Sequence, residues 1–436
     1  MAFFRTKMIG VSQFRDLGWV CCALFLASCN RKEPAVSPLP QRAYVWQRDW
    51  KQPVVDAITR SENGLAGCVI LACEIEWQNG CPHPVVPSVD WAAVRQVKGS
   101  FSPAIRVMPY SGSFSEDDET IRFICKTARH QLSIIRGAGV EPRELQLDFD
   151  CPQKKLAGYG KWVRAMRRAI SPLPLVITTL PCWLDEAEFP GLVRGASSYV
   201  LQVHSVAAAP GGGPGIVCDP ALARSWTARA SGIGVPFEIS LPTYRTVAGY
   251  GADGRKIGAY SDSIRPAWPP GTTIREYATD LDAMAGLVTS WQVRHPEHCT
   301  GLLWYRLPVD GDRQNCPWPA FRALTQGRPP VRSCGVEVNG QKPNEQSFAL
   351  VDLSLINTGE TDDFSLTGIT VKWDSSATLA LAEPPAGWRT THGDHQLTFL
   401  PAQTSVHLLP GASRAMGWLR FDQPARIHVD VLPENR

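Results

Sequence analysis

The sequence predicts a (β/α)8 TIM-type barrel followed by a small C-terminal β-sandwich. Three observations carry this reading. Eight apolar, β-branched-rich runs recur between residues 43 and 330. They are continuous rather than alternating, as parallel strands covered by helices are. The stretches between them hold apolar residues at helical spacing. Beyond residue 333 that spacing stops, and short runs separated by turn residues take over.

The chain opens on a targeting segment, read as a signal peptide over residues 1–28. Arg5, Lys7 and Arg15 make a basic start, and the apolar run 17–27 is too short to span a bilayer. It ends in Leu26-Ala27-Ser28-Cys29, which resembles the bacterial lipobox. The resemblance implies lipidation of Cys29 and a membrane anchor through the N-terminus. With Asn rather than Asp at position 30, it also implies the outer membrane, facing the periplasm, as the place in the cell envelope. Residues 29–42 are proline-rich and read as a tether. Export implies an oxidising compartment, where the ten cysteines beyond Cys29 are candidates for disulfides. Cys73 with Cys81, and Cys299 with Cys316, are the pairs close enough in sequence to suggest themselves.

The barrel is expected over residues 43–330. Its strands are read as 43–47, 68–77, 104–110, 144–150, 174–180, 198–204, 236–242 and 300–307. Ahead of the fourth strand, Ile121, Ile124, Ala128, Leu132 and Ile135 repeat with helical period; behind it, Tyr159, Trp162, Val163, Met166 and Ile170 do the same. Tyr277, Leu281, Met284, Val288 and Trp291 predict a helix ahead of the eighth strand. Eight such units over about 285 residues suit a (β/α)8 barrel. An open doubly wound sheet would need a glycine-rich turn after its first strand, and Val45–Gln52 has none. Residues 333–436 are expected to form the sandwich, with Trp373, Trp388 and Trp418 too scattered to mark a glycan platform.

Composition excludes several partners. A net charge of +3 without a Lys/Arg stripe argues against nucleic acid. The glycine-rich 209–215 segment lacks the Lys-Ser/Thr of a phosphate loop, and although Cys73, Cys81 and His83 are conceivable ligands, no strong zinc spacing exists and a loop disulfide or buried thiol is the expected reading. No cofactor and no metal is therefore expected. Asp148, Asp150 and His204 are the one set that could hold a hard cation, and no second histidine is placed to join them.

Chemistry concentrates in Glu144–Gln153, which reads ELQLDFDCPQ. Side chains alternate along a strand, so Gln146, Asp148 and Asp150 share one face and Leu145, Leu147 and Phe149 the other. In a barrel the C-terminal strand ends share one mouth, where active sites sit. Strand two offers Glu74 and Glu76 there. Tyr110, Trp183, His204, Tyr244, Trp304 and Arg306 are the candidate substrate-binding residues at the other strand ends. Glycosidic hydrolysis needs one carboxylic acid and a second carboxylate as nucleophile or base. Two aspartates two apart on a strand repel, which raises one pKa toward what an acid requires. Asp150 is then the acid, Asp148 its deeper partner, and Glu76 or Glu74 the opposing carboxylate. Other accounts stand beside this one. Asp150 could cap the following helix, and Glu74 and Glu76 could pair with Arg48 or Arg106 inside the barrel. Glu238 starts its strand and belongs to the opposite, stabilising end. The long segment 245–273 is expected as a lid or substrate wall.

The run from Leu145 through Arg167, followed by 174–186, resembles an uncharacterised bacterial family known only as a domain of unknown function. The matching positions are Asp148, Phe149, Asp150, Tyr159, Thr179 and Trp183. The resemblance covers the first five strands well and the rest weakly, and it implies a glycoside-hydrolase-like barrel without naming a substrate. The Asp-Phe-Asp triplet is also similar to chitinase-like barrels, which place a Glu two residues on. Here that position is Pro152. The reading is a glycan-processing lipoprotein of the cell envelope, the alternative a glycan-binding scaffold without catalysis.

Overall fold

The computed structural model describes residues 37–204, 215–261, 266–340, 348–374 and 376–433. The signal peptide, Cys29, most of the tether and most of the glycine-rich 209–215 segment lie outside the described residues.

In chain order the first strands are β1 (Gln41–Val45), β2 (Gly67–Gln78), β3 (Cys81–Val85), β4 (Ser100–Val107) and β5 (Leu145–Phe149). They are followed by β6 (Leu175–Thr179), β7 (Ser198–Gln202), β8 (Gly215–Ile216) and β9 (Phe237–Pro242). Then come β10 (Arg245–Tyr250), β11 (Lys256–Tyr260), β12 (Thr273–Ala278) and β13 (Cys299–Tyr305). The order β1-β13-β9-β7-β6-β5-β4-β2 is parallel throughout, and pairing of β2 with β1 closes it. This is the eight-stranded barrel, and its strands are the eight runs read from the sequence.

The helices are α1 (Gln52–Ser61), α2 (Trp91–Gln96), α3 (Glu119–Gly137) and α4 (Leu156–Ile170). They continue with α5 (Phe189–Gly195), α6 (Pro220–Ser231), α7 (Leu281–Val293) and α8 (Trp318–Thr325). Asp118 starts α3 by accepting from the Ile121 amide at 2.8 Å, and the helix buries the Ile121–Ile124–Ala128–Leu132–Ile135 stripe. Tyr277 belongs to β12 rather than to the following helix, because Asp280 caps α7 by accepting from Ala283 N. Strand β4 stops at Val107, short of the expected Tyr110; Pro109 brings no N–H to extend the ladder.

Two layers follow from the alternation. Outward residues such as Leu145, Leu147 and Phe149 pack under the helices in the large core. Inward, Tyr44, Val69, Ala104, Val176, Val200 and Leu303 fill the barrel. The bottom is sealed by charge. Buried Arg42 donates to Glu238 at 3.2 and 2.5 Å, to Glu144 at 2.7 Å and to Ser102 at 3.2 Å. Burial opposes the guanidinium's charge, but Glu238 and Glu144 outweigh it and hold its pKa above the usual value. Glu238 is thus at the stabilising end, as its place at the strand start requires.

Between the seventh and eighth barrel strands, β10, β11 and β12 form an antiparallel sheet joined by β8. The segment expected as a long lid supplies β10, β11 and the first residue of β12. The ten cysteines of the described residues are all free, so neither expected disulfide exists. Cys81 pairs across the β2–β3 hairpin with Gln78, five residues along β2 from Cys73. Cys299 opens β13 at the barrel bottom, whereas Cys316 lies beyond its mouth end, beside Thr243. Among the ten, Cys81 and Cys182 are exposed.

The C-terminal strands are β14 (Cys334–Gly340), β15 (Phe348–Asn357), β16 (Asp363–Trp373), β17 (Leu379–Glu383) and β18 (Arg389–Gly393). They end with β19 (Gln396–Leu400), β20 (Ser405–His407), β21 (Ser413–Ala425) and β22 (Ile427–Pro433). Two antiparallel sheets, β14-β15-β21-β17 and β18-β19-β16-β20 with β22 on β16, share one core around Leu353, Leu366, Val371, Phe399 and Leu419. This is the β-sandwich, small enough to need that single core.

Candidate active site at the barrel mouth

Strand register builds one half of the mouth. Glu74 on β2 lies opposite Arg106 on β4, and Arg106 opposite Asp148 on β5. Thr178 on β6 follows in the same layer. The Thr178 hydroxyl donates to Asp148 Oδ1 at 2.7 Å, and Arg106 Nε stands 3.7 Å from Asp148 Oδ2. Arg106 also donates to Glu74 at 3.3 Å. Arg48, from the chain leaving β1, reaches the same carboxylate at 2.5 and 3.0 Å. Glu74 is fully buried. The alternative account, in which Glu74 pairs with Arg48 or Arg106, is therefore its actual state, with both arginines engaged, and it is not an open opposing carboxylate. Glu76, in phase with Glu74 but higher on β2 and paired with His83 of β3 along the backbone, is half-buried, and its side chain has no ion-pair or hydrogen-bond partner among the described residues.

Asp148 has a side chain 15% exposed, and its pKa is pushed up to about 6. Burial is the main cause; the Asp150 charge adds to it, while Arg106 and the Thr178 hydrogen bond pull the other way. Asp150 stands at the exposed rim, where partial loss of solvation also raises it against the pull of Arg106. It caps nothing. Pro152 and Lys155 occupy the cap positions of the following turns, and neither cap uses a side-chain hydrogen bond.

The other half of the mouth is aromatic. Tyr305, at the end of β13, stacks on His204 with centroids 5.6 Å apart and meets Trp46 and Tyr244 edge-on at 5.6 and 5.5 Å. His204 Nδ1 lies 3.3 Å from the Tyr244 hydroxyl and Nε2 3.3 Å from Ser240 Oγ. Burial pushes the imidazole pKa down to about 4, so the ring is neutral at pH 7. Both ring nitrogens are turned to hydroxyls. No group of three His, Cys, Asp or Glu among the described residues is placed to hold a metal.

The remaining candidates lie elsewhere. Trp304 is fully buried on the outer face of β13, donating to Gln41 at 2.9 Å and packing on Phe321. Its neighbour Tyr305 takes the inward place. Arg306 is buried and locked to Asp312 at 3.1 and 2.6 Å. Trp183 is 1% exposed, set against Tyr159. Tyr110, freed from the strand by the break at Pro109, turns outward between Trp77 and Trp162 at 4.7 and 5.0 Å. Of the candidate binding residues, His204 and Tyr244 line the mouth. Trp46, Tyr305 and Thr178 were missed, although Trp46 continues an inward alternation legible in its strand after Tyr44; Arg48 and Arg106 were read as possible partners of the second-strand acids and not as binding residues.

Residues 101–310 match the family described as Domain of unknown function (DUF3142). The match runs from β4 to just past β13, so it reaches the last barrel strands that the sequence resemblance covered weakly. None of the curated proteins matches the chain. Among solved structures the chain is distantly similar to the Bacillus cereus spore cortex-lytic enzyme SleL. Identity is 14%, over 67% of this chain and 75% of that one, with a TM-score of 0.47. A chitinase from Chromobacterium violaceum shows 14% identity, over 66% and 98%, with a TM-score of 0.43. A fungal endo-beta-N-acetylglucosaminidase from glycosyl hydrolase family 18 shows 13%, over 66% and 96%, with a TM-score of 0.41.

Proposed function

We propose that the protein is a glycan-processing enzyme whose chemistry is performed by Asp148 and Asp150. The observation that carries this is the division of the mouth into two unlike halves. An aromatic wall of Trp46, Tyr244 and Tyr305 suits the apolar face of a sugar ring, and the carboxylate side suits its hydroxyls and glycosidic oxygen. In this reading Asp150, exposed and with a raised pKa, donates the proton to the leaving oxygen. Asp148 shares that proton and tunes it. Glu76 is the carboxylate left to act as base, because Arg48 and Arg106 hold Glu74.

Turnover measured on a panel of envelope and exopolysaccharide glycans tests this with Asp148→Asn and Asp150→Asn. Both folded variants are expected to lose activity at least about 100-fold, the lower range for a lost acid–base group. Full activity in either ends the assignment.

Two observations favour a second reading, binding without turnover. The buried second-strand carboxylate is neutralised by two arginines, and Pro152 stands where the chitinase-like pattern has an acid. Glycan retention by the wild type, with no product from any substrate of the panel, would select it. The proposal includes an anchor at Cys29, placing the barrel in the envelope; Cys29→Ser is expected to move the protein from the membrane fraction to the soluble one.

A further inference from the structure

The sandwich meets the barrel through arginine clamps. Arg245 donates to both oxygens of Asp362 at 2.8 and 2.5 Å. Arg328, after α8, holds Glu360 at 2.6 and 2.5 Å, and Arg332 reaches back to Asp282 on α7 at 3.0 and 3.1 Å. The first clamp differs from the others in its address. Arg245 directly follows Tyr244, whose hydroxyl is the partner of His204 and whose ring meets Tyr305.

Behind Tyr244 the packing is open. A cavity of about 390 Å3 is lined by Thr243, Tyr244, Arg245, Cys316, Arg332 and Asp363. Tyr244 packs against the small cluster of Val217, Ala248 and Tyr277, and the cavity leaves it only partly enclosed, unlike a side chain in a filled core. Polar ties add to that packing, beginning with a backbone bridge between Tyr244 and Asn315. The Thr279 hydroxyl donates to the Tyr244 carbonyl at 2.7 Å, Arg245 N donates to Gln314 O at 2.8 Å, and the guanidinium is gripped by Asp362. Such a bidentate pair fixes direction as well as distance.

We propose that Asp362 is a positioning residue for the mouth: through Arg245 it sets Tyr244, and through Tyr244 the His204 side of the aromatic wall. The sandwich is then a component of the ligand site rather than an appendage. This rests on the reading of the mouth as a glycan site for its consequence, but its test involves no glycan.

The test follows the His204 ring proton by NMR across pH in the full chain. The wild-type ring, held between Tyr244 and Ser240, is expected to titrate near 4. Asp362→Ala is expected to raise that midpoint by about one unit or more, toward the ordinary value near 6.5, as Tyr244 shifts and water enters. Glu360→Gln cuts the neighbouring clamp and is expected to leave the midpoint in place. Arg245→Asp combined with Asp362→Arg is expected to restore it. Should Asp362→Ala fail to fold, Asp362→Asn, which keeps the side chain's volume, shows the same shift in smaller measure. An unmoved His204 in the folded Asp362 variant overturns the proposal, as does an equal shift in Glu360→Gln. Either failure leaves the glycan reading intact, whereas inactive glycan panels leave this titration untouched.

Discussion

The Thr178 hydroxyl donates a 2.7 Å hydrogen bond to Asp148 from the neighbouring strand. A donor to a carboxylate stabilises its charged form, so this bond opposes the burial that raises Asp148. Thr178→Val keeps the shape and removes the donor. The Asp148 pKa is expected to rise above about 6, by roughly half a unit to one unit. Carboxyl-carbon NMR titration reads it directly, and a fall would show that the bond does not favour the carboxylate.

Asp150→Asn acts in the opposite sense. Its charge is the second cause of the Asp148 elevation, so removing it lets the Asp148 pKa drop toward the ordinary aspartate value. The same titration then separates the pair's mutual repulsion from burial. A midpoint unchanged by the substitution would mean that the two carboxylates titrate independently.

Stability should follow Asp148 with a definite sign. Its folded pKa, about 6, lies above the ordinary aspartate value of 3.8. A raised acid contributes stability that is fully present below the unfolded value and lost as pH rises through the folded one. At 1.36 kcal/mol per unit the loss across that window is up to about 3 kcal/mol. Denaturant curves for Asp148→Asn should lack this decline between pH 4 and about 6, making the variant relatively more stable at pH 7. Parallel pH profiles for the two proteins would refute the assignment.

Trp304 and Tyr305 are adjacent and have opposite fates. Trp304→Ala empties a fully buried outer site and is expected to cost about 3–5 kcal/mol of stability. Tyr305→Ala opens the mouth and is expected to weaken glycan retention about tenfold, with a smaller effect on the melting temperature. Comparing thermal unfolding with retention on an immobilised glycan distinguishes the two; weaker retention in Trp304→Ala alone would reverse their roles.

At the other end of the barrel, Arg42→Met strands Glu238 and Glu144 without their cation. Breaking a buried pair by removing one partner is expected to cost about 3–5 kcal/mol. Chemical denaturation measures it, and a near-neutral result would mean that water reaches this cluster.

These residues also explain what could be read in advance. On β5 polar and apolar residues alternate, so the inward facing of Asp148 follows from spacing alone. On β13 the run Leu302–Tyr305 is apolar on both faces and carries no contrast, so only pairing with β1, where Ala43 opposes Trp304, decides which aromatic points inward. For Glu74 the sequence offered Arg48 or Arg106 as partners, but no local pattern decides that Arg48, beyond β1, and Arg106, on β4, both engage it. The disulfide expectation failed for a related reason: Cys299 and Cys316 are near in sequence but separated by the length of a strand. The eight barrel strands were legible because each must be apolar to be covered.

The two exposed thiols described above, Cys81 at the hairpin beyond β2 and Cys182 in the turn after β6, stand at the rim on opposite sides of Asp150 in strand order. The other described thiols are buried or half-buried. Nature has thereby installed a pair of attachment points for paramagnetic or fluorescent tags without any cysteine engineering. The separation between such tags would work as a caliper across the opening, reporting whether it narrows when a candidate saccharide is added, before any product has been identified.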